Sequence, residues 1–286
     1  MSSLKQRLIQ LRADREKALG IFVTSGFPTI AATGSILDAI DAGGADFIEL
    51  GMPFSDPLAE GQTIQMSSQA ALASGVTMDF TFETARHFTT VSDIPVALMG
   101  YLNPILRYGL SNFFSSCQSS GVSAVILPDL PLKTRLDVRQ KARDHGIDIV
   151  YLVAPTTCDE RMTAIDELSD GFVYAVSMTG LTGTTMPQKD VVTKYLKRVR
   201  QNVKENPVLV GFGISTAEDA RDLSQYVDGC IVGSAVIRLI QDLWENNALS
   251  ETDRLSHITE FVKTLKEGAA PTSINPTSIP STSSDL

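Results

Sequence analysis

The sequence has few cysteines, no long apolar run and no excess of positive charge. Its three cysteines are widely separated and include no C-x-x-C pair, so neither a disulfide framework nor a zinc site is expected. The net charge of -9 argues against the basic surface that binds nucleic acid or an anionic membrane. No stretch approaches the roughly 20 apolar residues of a membrane helix. We therefore expect a soluble, cytoplasmic protein.

Histidine is also scarce. His87, His145 and His257 lie outside the predicted strand ends and lack the spacing of metal ligands. The sequence therefore predicts no metal site and no histidine-activated nucleophile, and these side chains are expected at the surface or in packing.

Eight short apolar segments alternate with longer segments of helical periodicity. Near-continuous apolar strands are typical of a parallel sheet covered on both faces, and eight strand-helix units in about 250 residues match a (β/α)8 TIM barrel. A doubly wound sheet is the alternative, although no G-x-G-x-x-G turn follows the first strand. The predicted strands are GIFVTSG from residue 20, DFIELG from 46, IPVALMG from 94, VSAVILPD from 122, IDIVYLVAP from 147, GFVYAVS from 171, PVLVGFG from 207 and DGCIVGS from 228.

Both ends of the chain depart from this alternation. Leu4, Leu8 and Leu11 have helical spacing and predict an extra N-terminal helix packed on the barrel, with organelle import as a minor alternative. From Gly268 onward the chain is rich in Ser, Thr and Pro. We therefore expect one catalytic barrel domain over residues 1–267 and a disordered tail or linker over residues 268–286.

Two helix boundaries are also predicted. Residues 62–92 are expected to form two helices separated by a break at Gly75. Ser215 is expected to cap the helix that follows the seventh strand.

Three carboxylates follow the second predicted strand in the segment ELGMPFSDPLAEG: Glu49, Asp56 and Glu60. The active sites of these barrels lie at the carboxyl ends of the strands. Glu49 ends an apolar run, which favours the barrel mouth over the surrounding helix layer. A partly desolvated carboxylate there has the raised proton affinity of a general acid or base. A buried Glu paired with a cation, or a solvated acidic loop, is the alternative.

Glycine-rich turns follow the seventh and eighth predicted strands, in VGFGIS at 210–215 and VGSAV at 232–236, and SMTGLTG at 177–183 is similar. Exposed N–H groups at such helix starts favour a phosphate, although glycine also serves ordinary turns. Phe22, Tyr101 and Tyr174 stand at strand ends, where they would wall a pocket for a flat apolar ligand or simply pack in the core.

Six motifs occur in a characteristic order: FIELGMPFSDPLAEGQTIQ, GYLNPIL, ILPDLP, VSMTGLTG, GFGIS and GSAV. With them, residues 4–266 resemble the tryptophan synthase alpha subunit family. The resemblance implies a (β/α)8 barrel that cleaves indole-3-glycerol phosphate to indole and glyceraldehyde 3-phosphate in tryptophan biosynthesis. It also implies no cofactor in this chain and a pyridoxal-phosphate beta subunit as partner, in an alpha2beta2 heterotetramer.

The resemblance also implies catalytic roles. Glu49 matches the carboxylate that protonates the indole C3 and takes up the proton of the glycerol hydroxyl. Glu60 matches the second catalytic carboxylate, which hydrogen-bonds the indole nitrogen and is usually Asp. Gln62 stands where the family usually has Pro, which alters the stiffness expected of the loop.

Three further groups of residues are implied by the resemblance alone. The substrate-binding positions, with Thr182 closing the mobile loop over the site, are Phe22, Ile64, Tyr101, Leu127, Asp129, Tyr174 and Thr182. The phosphate-binding positions are Gly183, Phe212, Gly213, Gly233 and Ser234. The partner-contact positions are Asp56, Pro57, Asn103 and Pro104, with a plain solvated side chain as the alternative for Asp56.

Two other functions stay open at this point. The substitution at Glu60 is compatible with a weakly active subunit that mainly binds and activates its partner. A stand-alone lyase without a partner would keep the chemistry and discard the complex.

Overall fold

The structure, a computed structural model, describes residues 3–176, 189–211 and 213–270. Eight parallel strands close into a barrel in chain order, with β8 beside β1. This confirms the predicted (β/α)8 architecture over the doubly wound alternative. The strands are β1 (Ala18–Thr24), β2 (Phe47–Gly51), β3 (Val96–Met99), β4 (Val122–Ile126), β5 (Asp148–Val153), β6 (Val173–Val176), β7 (Val208–Gly211) and β8 (Gly229–Val232).

Helices surround the barrel, and each predicted strand overlaps an observed one. Within the described ranges the helices are α1 (Ser3–Ala13), α2 (Thr33–Ala42), α3 (Gln62–Ala73), α4 (Met78–Val91), α5 (Leu102–Tyr108), α6 (Leu110–Ser119), α7 (Leu136–Asp144), α8 (Asp159–Leu168), α9 (Lys189–Asn202), α10 (Ala217–Ser224), α11 (Ser234–Glu245) and α12 (Glu251–Ala269). None of them is long and apolar enough to cross a membrane.

The predicted helix break is confirmed, and one predicted cap is wrong by a residue. Between α3 and α4, Gly75 has φ +85°, a left-handed conformation that glycine adopts without strain. The N-cap of α10 is Thr216, because its side chain accepts the Asp219 N–H while the Asp219 carboxylate accepts the Thr216 N–H. The expected cap, Ser215, lies one residue outside this reciprocal pair.

The barrel interior beneath the mouth is filled by aromatic rings. Phe47 and Phe172 lie 5.9 Å apart between ring centroids, and Phe172 lies 6.0 Å from Tyr174. Phe47 precedes Glu49 by two residues on the same face of β2, so this layer forms the floor below the mouth. The floor excludes water from the side chains above it.

The opposite end of the barrel carries the chain's N-terminal and C-terminal helices. Leu4, Leu8 and Leu11 of α1 are buried, which confirms the predicted packing of that helix. Helix α12 continues through Ala269, so Gly268 belongs to this helix, and residues 271–286 of the predicted tail lie outside the described residues.

Candidate active site

Glu49 is the third residue of β2, paired in register with Phe22 on β1 and Ala97 on β3. Its side chain is buried, with 2% of its surface exposed, and Oε2 has no hydrogen-bond partner among the described residues. Burial, and then the nearby Glu60 carboxylate, raise the pKa of Glu49 well above its ordinary value. A carboxyl group in this position binds its proton more tightly than an exposed one does.

Glu60 reaches the same space from the loop between β2 and α3. The loop is fixed by its backbone: Glu60 N–H donates to Pro57 O at 3.0 Å, and Gln65 Nε2 donates to Glu60 O at 2.9 Å. The side chain is 3% exposed. Burial raises the pKa of Glu60 to about 7, while a hydrogen bond from the Tyr101 hydroxyl acts in the opposite direction.

The two carboxyl groups therefore form an interacting pair in a dry mouth. Burial raises the pKa of both groups, and the negative charge of Glu60 also raises the pKa of Glu49. Two such groups lose their protons in separate steps. Between the steps the pair offers one proton donor and one anionic acceptor, which is the arrangement that acid-base chemistry needs.

Aromatic side chains wall the mouth, and two strand-end glycines make room for them. A Cβ at Gly51 would lie 2.6 Å from Phe22 Cζ, and a Cβ at Gly211 would clash with the Tyr174 ring. Phe22 and Tyr174 are both buried. Sequence reasoning missed these two glycines as site residues. The missing signal is the strand register, which pairs Gly51 with Thr24 and Gly211 with Val176 and so places each glycine diagonally across from the aromatic residue two positions before its partner.

The remaining predicted substrate positions lie around the same end of the barrel. Ile64 and Leu127 are buried, in the first turn of α3 and just after β4. Asp129 is exposed, and both of its carboxylate oxygens lie 3.0 Å from the Leu102 N–H. Tyr101 accepts the Ala59 N–H at 3.0 Å through its hydroxyl. Thr182 lies outside the described residues.

The predicted phosphate positions are only partly described. Gly233 is the N-cap residue of α11 and Ser234 is its first residue, which places both at a helix start. Gly213 has φ +76° in the turn after β7. Helix starts of this kind present N–H groups to an anion. Gly183 and Phe212 lie outside the described residues.

The predicted partner-contact residues lie beside the mouth. A cleft of about 510 Å³ is lined by eight residues, which are Phe54, Asp56, Leu58, Ala59, Tyr101, Asn103, Pro128 and Asp129. Pro104 lines a neighbouring cleft of similar volume. Asp56 and Asn103 are exposed, whereas Pro57 is buried and shapes the loop from within. Among the described residues no cluster of His, Cys, Asp or Glu could hold a metal ion.

Comparison with known proteins gives a consistent result. The family model described as tryptophan synthase alpha chain matches residues 8–270. The alpha chain of Petrotoga mobilis is 41% identical over 250 residues, which cover 87% of this chain and 95% of that protein. The tryptophan synthase of Saccharomyces cerevisiae is 38% identical over 267 residues, covering 93% of this chain and 37% of the longer yeast protein.

Solved structures agree with the sequence comparison. Tryptophan synthase subunit alpha from Legionella pneumophila superposes with a TM-score of 0.85 at 32% identity, covering 94% of this chain and 98% of that chain. A chain of Mycobacterium tuberculosis tryptophan synthase superposes with a TM-score of 0.84 at 31% identity, covering 94% and 98%. The fold, the match across residues 8–270 and these relatives together show that the chain belongs to the tryptophan synthase alpha chain family.

Proposed function

We propose that this chain is a carbon-carbon lyase that cleaves indole-3-glycerol phosphate to indole and D-glyceraldehyde 3-phosphate, a step in L-tryptophan biosynthesis. Membership of the family supports the reaction. The observation that carries the proposal is the pair of buried carboxyl groups, Glu49 and Glu60, at the mouth of the barrel. Their separated proton affinities suit a reaction that needs a donor and an anionic acceptor at once.

Glu49 is the proton shuttle of this proposal. In its protonated form it gives a proton to C3 of the indole ring, which leaves positive charge on the ring nitrogen. The resulting carboxylate then removes the proton of the hydroxyl group on the carbon attached to C3. The carbon-carbon bond breaks, its electrons restore the indole ring, and an aldehyde leaves. The shuttle returns to its starting state, as general acid-base catalysis requires.

Glu60 is the anionic acceptor. When ionised, it hydrogen-bonds the ring N–H and stabilises the positive charge that develops on the nitrogen, and this interaction is strong because the mouth excludes water. Its side chain is one methylene longer than the usual Asp. The loop that carries it is held by the Glu60 N–H bond to Pro57 O, by the Gln65 side-chain amide on Glu60 O and by Tyr101 at Ala59.

The other site residues bind the two halves of the substrate. We assign the indole pocket to Phe22, Ile64, Leu127 and Tyr174, which are buried at the mouth. The phosphate is assigned to the turns after β7 and β8, where Gly213, Gly233 and Ser234 stand. Thr182, Gly183 and Phe212 join these groups on the resemblance of their motifs.

A beta subunit that holds pyridoxal phosphate is the proposed partner, in an alpha2beta2 heterotetramer, with no cofactor in this chain. The exposed Asp56 and Asn103, with Pro104, support this face as the contact surface, and Pro57 supports it by shaping the loop. The proposal takes residues 1–267 as one catalytic domain. The free thiols of Cys117, Cys158 and Cys230 are consistent with a reducing cytoplasm.

The test is an assay of indole release from indole-3-glycerol phosphate, with and without a beta subunit. Wild type is expected to release indole, faster with the partner present. Glu49→Gln is expected to lower kcat by roughly 10²- to 10⁴-fold, the range for a lost general acid-base group. Glu60→Ala is expected to lose about 10²-fold, as for a lost charge-stabilising group.

Each outcome of this assay supports or contradicts one part of the proposal. Full turnover by Glu49→Gln would overturn the proton-shuttle role. Equal wild-type rates with and without the beta subunit would overturn the coupled complex. If wild type releases no indole in either condition, the chain is a binding subunit instead of an enzyme.

A further inference from the structure

The loop that carries Glu60 contacts Tyr101 at two points. The Phe54 ring packs on the Tyr101 ring, with centroids 5.4 Å apart and planes 33° from parallel. The Ala59 N–H donates to the Tyr101 hydroxyl oxygen at 3.0 Å. The Tyr101 hydroxyl also lowers the pKa of the Glu60 carboxyl group. The Tyr101 side chain therefore holds the loop at Phe54 and at Ala59, the residue before Glu60.

Tyr101 is in turn held through the backbone on either side of it. The Gly100 N–H donates to Ile126 O at 3.1 Å, which extends the pairing of β3 with β4 by one residue. The Leu102 N–H, at the first residue of α5, lies 3.0 Å from each carboxylate oxygen of Asp129. Asp129 comes from the loop after β4, so the end of β4 and the loop that follows it both hydrogen-bond the backbone on either side of Tyr101.

Asp129 was expected to contact the substrate, but its carboxylate is engaged by a backbone N–H and its side chain is exposed at the rim. Glu60, by contrast, is buried in the mouth. A series of contacts therefore links Asp129 to the Leu102 N–H, to the adjoining Tyr101 side chain and to the loop that carries Glu60.

We propose that Asp129 is a positioning residue for Glu60: it fixes the start of α5, and thereby the Tyr101 side chain that holds the loop carrying Glu60 at the mouth of the barrel. The inference deepens the proposed function and rests on it for the identity of the substrate. It assigns Asp129 no contact with the reacting atoms.

A geometric role and a purely electrostatic role of Asp129 predict opposite changes at Glu60. The charged and titratable groups that interact with Glu60 are Glu49, Tyr101 and Tyr174. The Tyr101 hydrogen bond lowers the pKa of Glu60, so displacement of Tyr101 raises that pKa. Removal of a negative charge without displacement would lower it, because the carboxylate would then ionise more easily.

The experiment measures the pKa of Glu60 by ¹³C NMR of the carboxyl carbon, assigned with Glu60→Gln, alongside kcat and KM for indole release. In Asp129→Ala the pKa of Glu60 is expected to rise and kcat to fall about tenfold or more, since a small misplacement of a catalytic group is costly, while KM changes little. Asp129→Asn keeps an acceptor oxygen for Leu102 and is expected to retain most of kcat.

A double-mutant cycle with Tyr101→Phe tests the order of the contacts. If Asp129 acts through the Tyr101 hydroxyl, Asp129→Ala adds little to the loss that Tyr101→Phe already causes. Asp253→Asn is the matched control, because the Asp253 carboxylate also accepts a backbone N–H at a helix start, that of Ser250 before α12. It is expected to leave the pKa of Glu60 and kcat unchanged.

Additive losses in the cycle, an unchanged or lowered pKa of Glu60 in Asp129→Ala, or an Asn variant as impaired as the Ala variant would each overturn the inference. The NMR titration does not depend on turnover. A wild type without indole release but with the expected rise in the pKa of Glu60 would therefore contradict the proposed function and support the positioning role of Asp129.

Discussion

At the scale of one residue, the buried Glu49 carboxyl group lowers the stability of the fold at high pH and has the raised proton affinity that the proposed reaction needs. Its carboxyl group is buried on an aromatic floor, and Oε2 has no partner among the described residues. The raised pKa means that the folded state binds its proton more tightly than the unfolded chain does. Stability is therefore lost as the pH rises above the ordinary value of 4.5 toward the raised one.

The first prediction concerns the stability that the buried Glu49 carboxyl group costs at high pH. Glu49→Gln is expected to increase the free energy of unfolding at pH 8, by about 1.4 kcal/mol for each unit by which the pKa of Glu49 is raised below that pH, because Gln has no proton to lose. At pH 4 the two proteins should be equally stable, because Glu49 is then protonated in both folded and unfolded chains. Urea unfolding at the two pH values measures the difference in free energy of unfolding between wild type and Glu49→Gln. The same difference at pH 4 and at pH 8 would contradict the prediction.

The raised pKa of Glu60 predicts how the rate of the proposed reaction depends on pH. It must be ionised to accept the ring N–H, and its pKa is raised to about 7. In the free enzyme kcat/KM is therefore expected to fall as the pH drops below about 7. Glu60→Gln keeps an acceptor oxygen but does not titrate, so its slower reaction should lack this acid limb. An acid limb that persists in Glu60→Gln would assign it to another group.

At the scale of elements, the barrel separates chemistry from stability. The loops after the strands carry the site, whereas the opposite end is closed by contacts between distant parts of the chain. Asp46, just before β2, is fully buried and accepts the Leu19 N–H at 2.7 Å. It also binds Arg7 of α1 at 2.8 Å and Lys266 of α12 at 2.6 Å.

This cluster yields a prediction about the two terminal helices. Asp46→Ala is expected to reduce the free energy of unfolding by about 3 kcal/mol, because three donors lose a buried acceptor. The partial exposure of Arg7 and Lys266 keeps the loss at the lower end for a broken buried pair. Asp14→Ala is the control, since Asp14 is exposed and its carboxylate accepts from the Gln10 side chain four residues earlier.

Urea unfolding measures both variants, and kcat below the unfolding transition should match that of wild type. The Asp14 control is expected to change stability by no more than about 0.5 kcal/mol. Equal losses in the two variants would show that the Asp46 cluster does not hold the helices to the barrel.

At the scale of the whole molecule, exposed apolar side chains mark a surface beside the mouth. Leu58, in the loop between β2 and α3, is 85% exposed, and Leu106 of α5 is 38% exposed. Leu58 lines the same cleft as Asp56 and Asn103, and Leu106 lies three residues after Asn103 on α5. Exposed apolar residues that adjoin a cleft suit a protein interface. The surface lies next to Tyr101, so a partner bound there would meet the residues that position Glu60.

The last prediction tests this surface. Leu106→Asp is expected to weaken binding of the beta subunit at least tenfold, about 1.4 kcal/mol, because a charge would be desolvated at the contact. Val91→Asp is the matched control: Val91 is 67% exposed and ends α4, away from the loops of the mouth. Sedimentation or calorimetry measures the affinity. Equal weakening by both substitutions, or by neither, would place the partner elsewhere.

The sequence by itself determined the architecture and the two carboxylates. Alternation of apolar strands with helical segments is a local pattern, so all eight strands were predicted within a few residues. Glu49 was recognisable because a carboxylate at the end of an apolar strand is costly unless it is used, whereas Glu60 was identified by the resemblance of its motif. The position of the α10 cap failed by one residue, since capping depends on backbone geometry that a pattern does not contain.

Only the tertiary structure decided which distant residues meet. Strand register places Gly51 diagonally across from Phe22 and Gly211 diagonally across from Tyr174, and no local pattern contains that register. Barrel closure brings Lys266 to Asp46 across most of the chain. The resemblance implied Asp129 as a substrate-binding residue, and only the fold shows that its carboxylate accepts the Leu102 N–H. The physical reason is that periodicity reports each segment's own burial, whereas pairing depends on how all the segments pack together.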